Sequence, residues 1–258
     1  MQAGATTPVI EFRDVSYRVE QTQVLCGVTL QVMRGETLVL LGRSGSGKTT
    51  TLKLVNRLAT PTSGEIRVNG VSNAQVNVIR LRREIGYVIQ DVGLFPHFTV
   101  ERNIGLVPRI EGWPQDRIRA RVRELLQLVG LTTELASRYP HQLSGGQRQR
   151  VGVARALAAD PEILLMDEPF GALDPLTRDE LQREFLSLQQ RLHKTVVFVT
   201  HDLREALRLA SRIALMEAGR LVTVLPPQEF LQSSDRWASL YVRAFGDGLA
   251  SATNRGTS

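Results

Sequence analysis

Apolar residues fall along this chain in two rhythms. Short runs of four to six, often alternating with polar positions, read as strands: Val9–Phe12, Val28–Val32, Glu36–Leu41, Ile66–Asn69, Ile163–Met166 and Thr195–Val199. Asn69-Gly70 is a strong turn pair and closes the fourth of these. Longer stretches repeat at helical spacing. In Gln115–Val129 the residues Ile118, Val122, Leu125, Leu126 and Val129 share one face, while Arg119, Arg121 and Arg123 point elsewhere. That segment starts after Pro114 and stops at Gly130, as helix start and stop chemistry predicts. Thr49–Leu58 and Gln147–Leu157 read as further helices, and Leu181, Phe185, Leu188 and Leu192 stripe another. Strands alternating with helices predict an α/β fold with a mostly parallel sheet covered on both faces, preceded by a small β portion. Residues from about 91 to 155 show no convincing strand and read as an inserted helical subdomain. One domain over 1–245 is expected, with 246–258, rich in Gly, Ser, Ala and Thr, as a disordered tail.

Composition narrows the class without naming a chemistry. With 42% hydrophobic and 22% charged residues over 258 positions, the chain has an ordinary globular make-up and enough length for a sizeable core. Its longest apolar runs fall far short of the ~20 residues of a membrane-spanning helix. MQAGATTPVIEF lacks a basic start followed by an apolar stretch, and Cys26 is the single cysteine, so a cytoplasmic chain is expected. A formal charge of +6 leaves nucleic acid, an anionic membrane surface, or simply a solvated basic face open. Nearly all the cations are Arg; the lysines are Lys48, Lys53 and Lys194. A Lys inside a motif therefore hints that a compact ammonium is wanted there.

Lys48 lies in such a motif. Gly42-Arg43-Ser44-Gly45-Ser46-Gly47-Lys48-Thr49 matches G-x-x-x-x-G-K-[ST], with an apolar strand before it and a helix after it. Gly42, Gly45 and Gly47 are expected to allow positive φ, so that successive N–H groups face phosphate oxygens. The helix beginning near Thr49, followed by Thr50, adds its positive end. Lys48 would reach the β- and γ-phosphates, and the Thr49 hydroxyl would ligate Mg²⁺. The fold expectation becomes a phosphate-loop NTPase core.

Asp167 and Glu168 emerge from the carboxyl end of the buried strand Ile163–Met166, where ligands sit in open α/β sheets. Neighbours on an extended chain point oppositely, so the two take different jobs: Asp167 towards Mg²⁺, Glu168 as general base for the attacking water. His201, after Thr195–Val199, would face the γ-phosphate by the same edge argument, with a merely packed helix-start histidine as the alternative. Gln90 follows Ile85–Ile89 and alone means little. His97, His141 and His193 receive no chemical role.

Leu143-Ser144-Gly145-Gly146-Gln147 before a helical run reads as a second phosphate-binding helix start, or as a plain N-cap with glycines. One γ-phosphate does not need two such sites on one chain; two chains head-to-tail do. With this pentapeptide the chain resembles the nucleotide-binding subunits of ABC transporters, from Ile10 to about Phe245. The resemblance implies an ABC ATPase domain with Gln90 as its Q-loop residue, contacting Mg²⁺ or the attacking water. It makes Ser144, Gly145, Gly146 and Gln147 the signature and Gly171-Ala-Leu-Asp174 the loop after the acids. His201 becomes the switch histidine. Ser144, Gly145, Gly146, Gln147 and Asp174 would reach ATP bound by a second copy of the chain. The family stacks adenine on an aromatic residue where Val19 stands here; Tyr17, just after Val15-Ser16, is the candidate, and an edge-strand tyrosine is its alternative.

The stretches Ile85–Pro114, Arg138–Pro161 and Leu164–Gln182 are most similar to the ATPases of osmoprotectant importers, which carry glycine betaine, choline, carnitine and related solutes. That implies membrane permease subunits and, indirectly, a solute-binding protein as partners, with the chain peripheral on the cytoplasmic face of the membrane. Some relatives continue into a C-terminal regulatory tandem; regulation of that kind is expected to be absent or to lie elsewhere. Gly93–Phe98 would help line the groove that docks a permease helix, with Phe95 and Phe98 either presented there or packed in the subdomain core. The rival readings are a soluble ABC ATPase acting on nucleic acid, for which the chain lacks a second cassette or long insertion, and another phosphate-loop enzyme, which the signature disfavours. Amino-acid or lipid cargo remains an alternative within transport.

Overall fold

The computed structural model describes residues 8–90 and 92–253, with side chains as far as Ala244. The chain divides into two compact units, one formed by residues up to Gly70 and from Phe198 onward, the other by Val71–Val197.

The first unit opens with β1 (Pro8–Val19), β2 (Thr22–Met33) and β3 (Thr37–Leu41), then α1 (Lys48–Val55) and β4 (Ser63–Val68). β1 pairs antiparallel with β2, setting Phe12 opposite Leu30 and Val15 opposite Val28, and with β4, setting Ile10 opposite Val68 and Phe12 opposite Ile66. Those apolar pairs are buried and fix the register, because a slip of one residue would turn the whole apolar set to the other face. β1 and β2 reach well beyond the runs Val9–Phe12 and Val28–Val32. Their ends are polar and exposed, with register shifts along β1, so the ladder there carries no apolar signal.

The second unit contains β5 (Val71–Ser72), α2 (Val78–Glu84), β6 (Ile85–Val88), α3 (Val100–Ile104), α4 (Leu106–Ile110), α5 (Gln115–Leu128), α6 (Gly145–Leu157), β7 (Ile163–Asp167) and α7 (Pro175–Leu192). β6 and β7 pair in parallel, Ile85 opposite Ile163 and Val88 opposite Met166. Among the described residues from 91 to 155 there is no strand, and the compact unit that contains them is wider, Val71–Val197. α5 buries Ile118, Val122, Leu125 and Leu126, the face read from the sequence. Arg121 donates to the carbonyls of Leu157 and Ala158 at 3.0 and 3.3 Å, satisfying acceptors that the end of α6 leaves open.

Through β8 (Thr195–Thr200) the chain returns to the first unit, adding α8 (Leu203–Leu209), β9 (Arg212–Glu217), β10 (Arg220–Leu225), α9 (Pro227–Leu231) and α10 (Arg236–Thr253). β9 runs parallel to β3, Val39 opposite Ile213, and forms an antiparallel hairpin with β10. All five residues of β3 are buried, which is why it reads as a continuous apolar run. The fold is thus α/β, with an antiparallel N-terminal sheet and predominantly parallel pairing in the remaining strands. α10 continues to Thr253, past the Gly246 at which the sequence reading begins a disordered tail; residues 254–258 lie outside the described residues. No helix of the described residues is long and apolar enough to cross a membrane.

The two faces of α5 separate packing from solvation. Leu125→Ala, at a position with no exposure, is expected to cost about 2–5 kcal/mol in urea unfolding, whereas Arg123→Ala on the exposed face stays within about 0.5 kcal/mol.

Candidate functional site

In the first unit, the segment between β3 and α1 folds as a loop around Lys48. The Lys48 ammonium is buried and donates to the carbonyls of Gly42 and Arg43, both at 2.7 Å, which holds it inside the loop. Gly47 is the N-cap of α1 at φ 100° and has no side chain with which to cap this helix. The helices α2, α3, α6, α7 and α8, by contrast, are each capped by their own Asn, Thr, Ser or Asp. A helix start capped by glycine, with a buried ammonium in its first residue, is an anion-binding arrangement. The Ser46 hydroxyl adds a buried polar group with no hydrogen-bond partner.

The loop is braced from outside. The Gly219 N–H, at the tip of the β9–β10 hairpin, donates to the Ser46 carbonyl at 3.2 Å, and the Gly219 carbonyl accepts from Cys26 N–H on β2 at 2.9 Å. Thr51 Oγ1 donates to the Gly47 carbonyl at 3.0 Å. A Cβ on Gly47 would stand 2.5 Å from Leu25 Cδ2, and one on Gly42 would collide with the Met216 carbonyl of β9. Positive φ is therefore needed at Gly45 and Gly47 but not at Gly42; that expectation is corrected, since Gly42 is there for close approach to β9. Arg43, Ser44 and Gly45 are exposed on the loop, and Thr49 and Thr50 are half-buried in the first turn of α1.

Tyr17 pairs across the β1–β2 ladder with Leu25, the residue packed on Gly47, so it occupies the strand pair flanking the loop. It is half-buried, while Val19 is 46% exposed. His201 is exposed between β8 and α8, where the Asp202 carboxylate accepts from Arg204 N–H at 2.8 Å.

The second unit carries the remaining candidates. Asp167 ends β7 with 5% exposure; burial, and to a lesser degree the Asp167 carboxylate, pushes the Tyr87 phenol above its ordinary range. Glu168 is half-buried and left-handed at φ 43°. The extended chain stops at Asp167, so strand alternation does not apply to the pair; the backbone turns at Glu168 instead. Gln90 is exposed just beyond β6.

At the start of α6, the Ser144 hydroxyl accepts from Gln147 N–H at 3.2 Å and the Gln147 side-chain carbonyl accepts from Ser144 N–H at 2.9 Å. This is a capping box, and it leaves the Ser144 proton available to an external acceptor. Gly146 approaches α7 so closely that a Cβ would meet Thr177 Cγ2 at 2.8 Å, whereas Gly145 has only distant neighbours. Asp174 caps α7 by accepting from Thr177 N–H at 3.0 Å, and hydrogen bonds from Thr177 hold its carboxyl below the ordinary range. The signature and Asp174 thus meet through Thr177.

Phe95 is 40% exposed and clusters with His97 and Phe98, with the Arg102 guanidinium 4.3 Å from the centre of the Phe98 ring. Under them lies Asn103, fully buried, accepting from Phe95 N–H at 2.8 Å and donating to the carbonyls of Phe95, Phe98 and Thr99 at 3.1 Å. Sequence reasoning missed Asn103, as it missed Met216 and Gly219. Their partners are backbone groups, and only an asparagine following an exposed aromatic loop hinted at the arrangement.

The sequence pattern of the ABC transporter family matches residues 25–171. A choline transport ATP-binding protein of Bacillus subtilis (strain 168) is 54% identical over 80% of this chain and 54% of its own length, so the chain spans about half of that relative. A glycine betaine uptake system ATP-binding protein of Escherichia coli (strain K12) is 51% identical over 92% of this chain and 76% of its own length. Among solved structures, a dimeric ATP-binding cassette in a post-hydrolysis state bound to ADP and Pi superposes with TM-score 0.76 at 32% identity, covering 84% of this chain and 98% of that one. Another solved structure, cbiO1 from Clostridium perfringens, part of the ABC transporter complex cbiONQ, gives TM-score 0.81 at 28% identity, over 94% and 99% of the two chains.

Two glycines in the loop test the brace. Gly45→Ala meets only an unfavourable φ of 80°, so a loss of about 1–2 kcal/mol is expected. Gly47→Ala adds a collision with Leu25 and is expected to lower the thermal midpoint clearly further. With matching sequence over more than half its length, the chain belongs to the ABC transporter family.

Proposed function

We propose that this chain is the ATP-hydrolysing subunit that powers solute import through a membrane permease, with osmoprotectants such as quaternary amines as cargo. The observation that carries the reading is that one chain holds both a glycine-capped helix start with a buried ammonium, at α1, and a capping-box serine whose hydroxyl proton is left over, at α6. Similarity at 54% and 51% identity to the choline and glycine betaine proteins supports the cargo class.

In this reading the loop Gly42–Thr49 binds the phosphates through its amides, and Lys48 exchanges its carbonyl partners for β- and γ-phosphate oxygens. The Tyr17 ring stacks on adenine. The described residues contain no cluster of three or more His, Cys, Asp or Glu able to hold a metal by itself. Mg²⁺ takes few protein oxygens and completes its shell with substrate phosphates and water. The Thr49 hydroxyl, the buried Asp167 carboxylate and the Gln90 side-chain carbonyl are hard oxygen donors suited to it. When bound, the ion supplies charge neutralisation on the phosphates. Glu168 accepts a proton from the attacking water, and His201 and Gln90 orient the γ-phosphate and that water.

A second copy, head-to-tail, contributes Ser144, Gly145, Gly146 and Gln147, with Asp174 nearby, to close each nucleotide. The Ser144 hydroxyl donates to the γ-phosphate while its lone pair stays on Gln147 N–H. The dimer sits at the cytoplasmic face of the membrane, and the aromatic surface of Phe95 and Phe98 meets a permease helix. A solute-binding protein delivers cargo to the permease, not to this chain.

Glu168→Gln keeps the size of the side chain and removes the base. Hydrolysis is expected to fall by about 10²–10⁴-fold while ATP stays bound and sedimentation shows a stable dimer; a monomer with full turnover contradicts the assignment. Co-purification from membranes with a permease, and ATP-driven uptake of glycine betaine, choline or carnitine into proteoliposomes, tests the cargo. Uptake of an amino acid or lipid in their place would overturn that part alone.

A further inference from the structure

The loop after Gln90 is held in an unfavourable backbone conformation. Val92 has φ 55° and Gly93 φ 54°. A left-handed conformation is ordinary for glycine and exceptional for a β-branched residue, so something must hold Val92 there. The structure shows what does. Arg155, near the C-terminal end of α6, donates from Nη2 to the Val92 carbonyl and from Nη1 to the Gly93 carbonyl, both at 2.6 Å. Val92 N–H closes the turn on the Ile89 carbonyl at 3.0 Å. The Val92 side chain lies against α6 at Gly152, where any Cβ would stand 2.5 Å from Val92 Cγ1.

Arg155 is half-buried, and desolvation lowers its guanidinium from the ordinary range, although an arginine remains charged. Its planar fork suits two successive carbonyls in a way that a lysine ammonium cannot reproduce. A half-buried cation spent on two backbone carbonyls, next to a glycine that admits the strained side chain, is an arrangement for fixing a loop. Two residues before Val92 stands Gln90. On the same helix, about 16 Å along its axis from Arg155, stands Ser144.

We infer that Arg155 is a positioning residue for ATP hydrolysis: it ties the loop carrying Gln90 to the helix that begins with Ser144, so that the signature and Gln90 move as one body. The inference rests on the functional reading above. Gln90 is the group that acts, and Arg155 acts through it. The carbonyls that Arg155 holds belong to the loop after Gln90, so the proposal concerns turnover and not nucleotide affinity.

The test is steady-state hydrolysis of Mg-ATP by the purified chain, as wild type, Arg155→Met, Arg155→Lys, Gln90→Ala and the double variant Gln90→Ala/Arg155→Met. Met fills the stem of the arginine without its hydrogen bonds. The kcat of Arg155→Met is expected to fall about 10–100-fold with KM for ATP changed less than about threefold, and Lys does not restore it. In the Gln90→Ala background the Arg155 substitution is expected to have no further effect, the signature of two residues acting through one step. Amide hydrogen exchange over residues 92–99 speeds up in Arg155→Met, while exchange over α5 does not. Full activity of Arg155→Met, equal losses in both backgrounds, or rescue by Lys overturns the inference. If Arg155→Met does not fold, Arg155→Lys carries the same comparison, because it keeps the charge and loses the fork. Absence of ATP hydrolysis by the wild-type chain defeats the functional reading instead, which keeps the two failures apart.

Discussion

The phosphate loop can exist in its observed shape only because backbone is allowed where side chains would ordinarily stand. The Met216 carbonyl of β9 approaches Gly42, Leu25 of β2 approaches Gly47, and the Gly219 peptide at the hairpin tip bonds both Ser46 and Cys26. Each is a contact between main chain and main chain, or between a buried leucine and a missing Cβ. Together they hold the loop in one shape, so little ordering remains to be done when an anion arrives. The strands that carry these braces are themselves fixed by buried apolar register, Val39 beside Ile213 on one side and Val15 opposite Val28 on the other. The hydrophobic core of the first unit and the geometry of its loop are thus one problem with one solution.

The second unit solves a related problem with polar side chains. Asn103 gathers the carbonyls of Phe95, Phe98 and Thr99, Arg155 gathers those of Val92 and Gly93, and Arg121 those of Leu157 and Ala158. Buried or half-buried, each of these groups would be costly without partners. With partners, each fixes a loop that no apolar face could hold. The start of α6 follows the same logic: Ser144 and Gln147 satisfy one another, and the serine proton is left over for chemistry.

How much of this the sequence reveals depends on whether a position speaks through periodicity or through contact. α5 is legible because Ile118, Val122, Leu125 and Leu126 repeat at helical spacing and are the residues that become buried. The phosphate loop is legible because its residue types are dictated by local backbone geometry, and the signature because Ser144 and Gln147 stand three residues apart before a helix. β9 and β10 are a different matter. They matter to the loop through a carbonyl and a hairpin glycine, and neither leaves an apolar pattern. The reason assigned to Gly42 fails on the same ground, since its neighbour in space, Met216, is remote in sequence. Asp167 and Glu168 show a middle case: the strand that ends at the pair is legible, but the left-handed turn at Glu168 is not. Arg155 reads as one more cation in an arginine-rich chain until its partners are seen to be carbonyls.

The central claim is that each nucleotide site is shared between two copies of the chain, the loop from one and the start of α6 from the other. Mixing two inactive variants, Lys48→Ala and Ser144→Arg, tests it directly by ATP hydrolysis. In mixed dimers one site combines both defects and the other combines neither. An equimolar mixture is therefore expected to recover about a quarter of wild-type activity, since half the dimers are mixed and each keeps one intact site. If the mixture stays as inactive as its components, or if Ser144→Arg alone hydrolyses ATP at the wild-type rate, the shared site is contradicted.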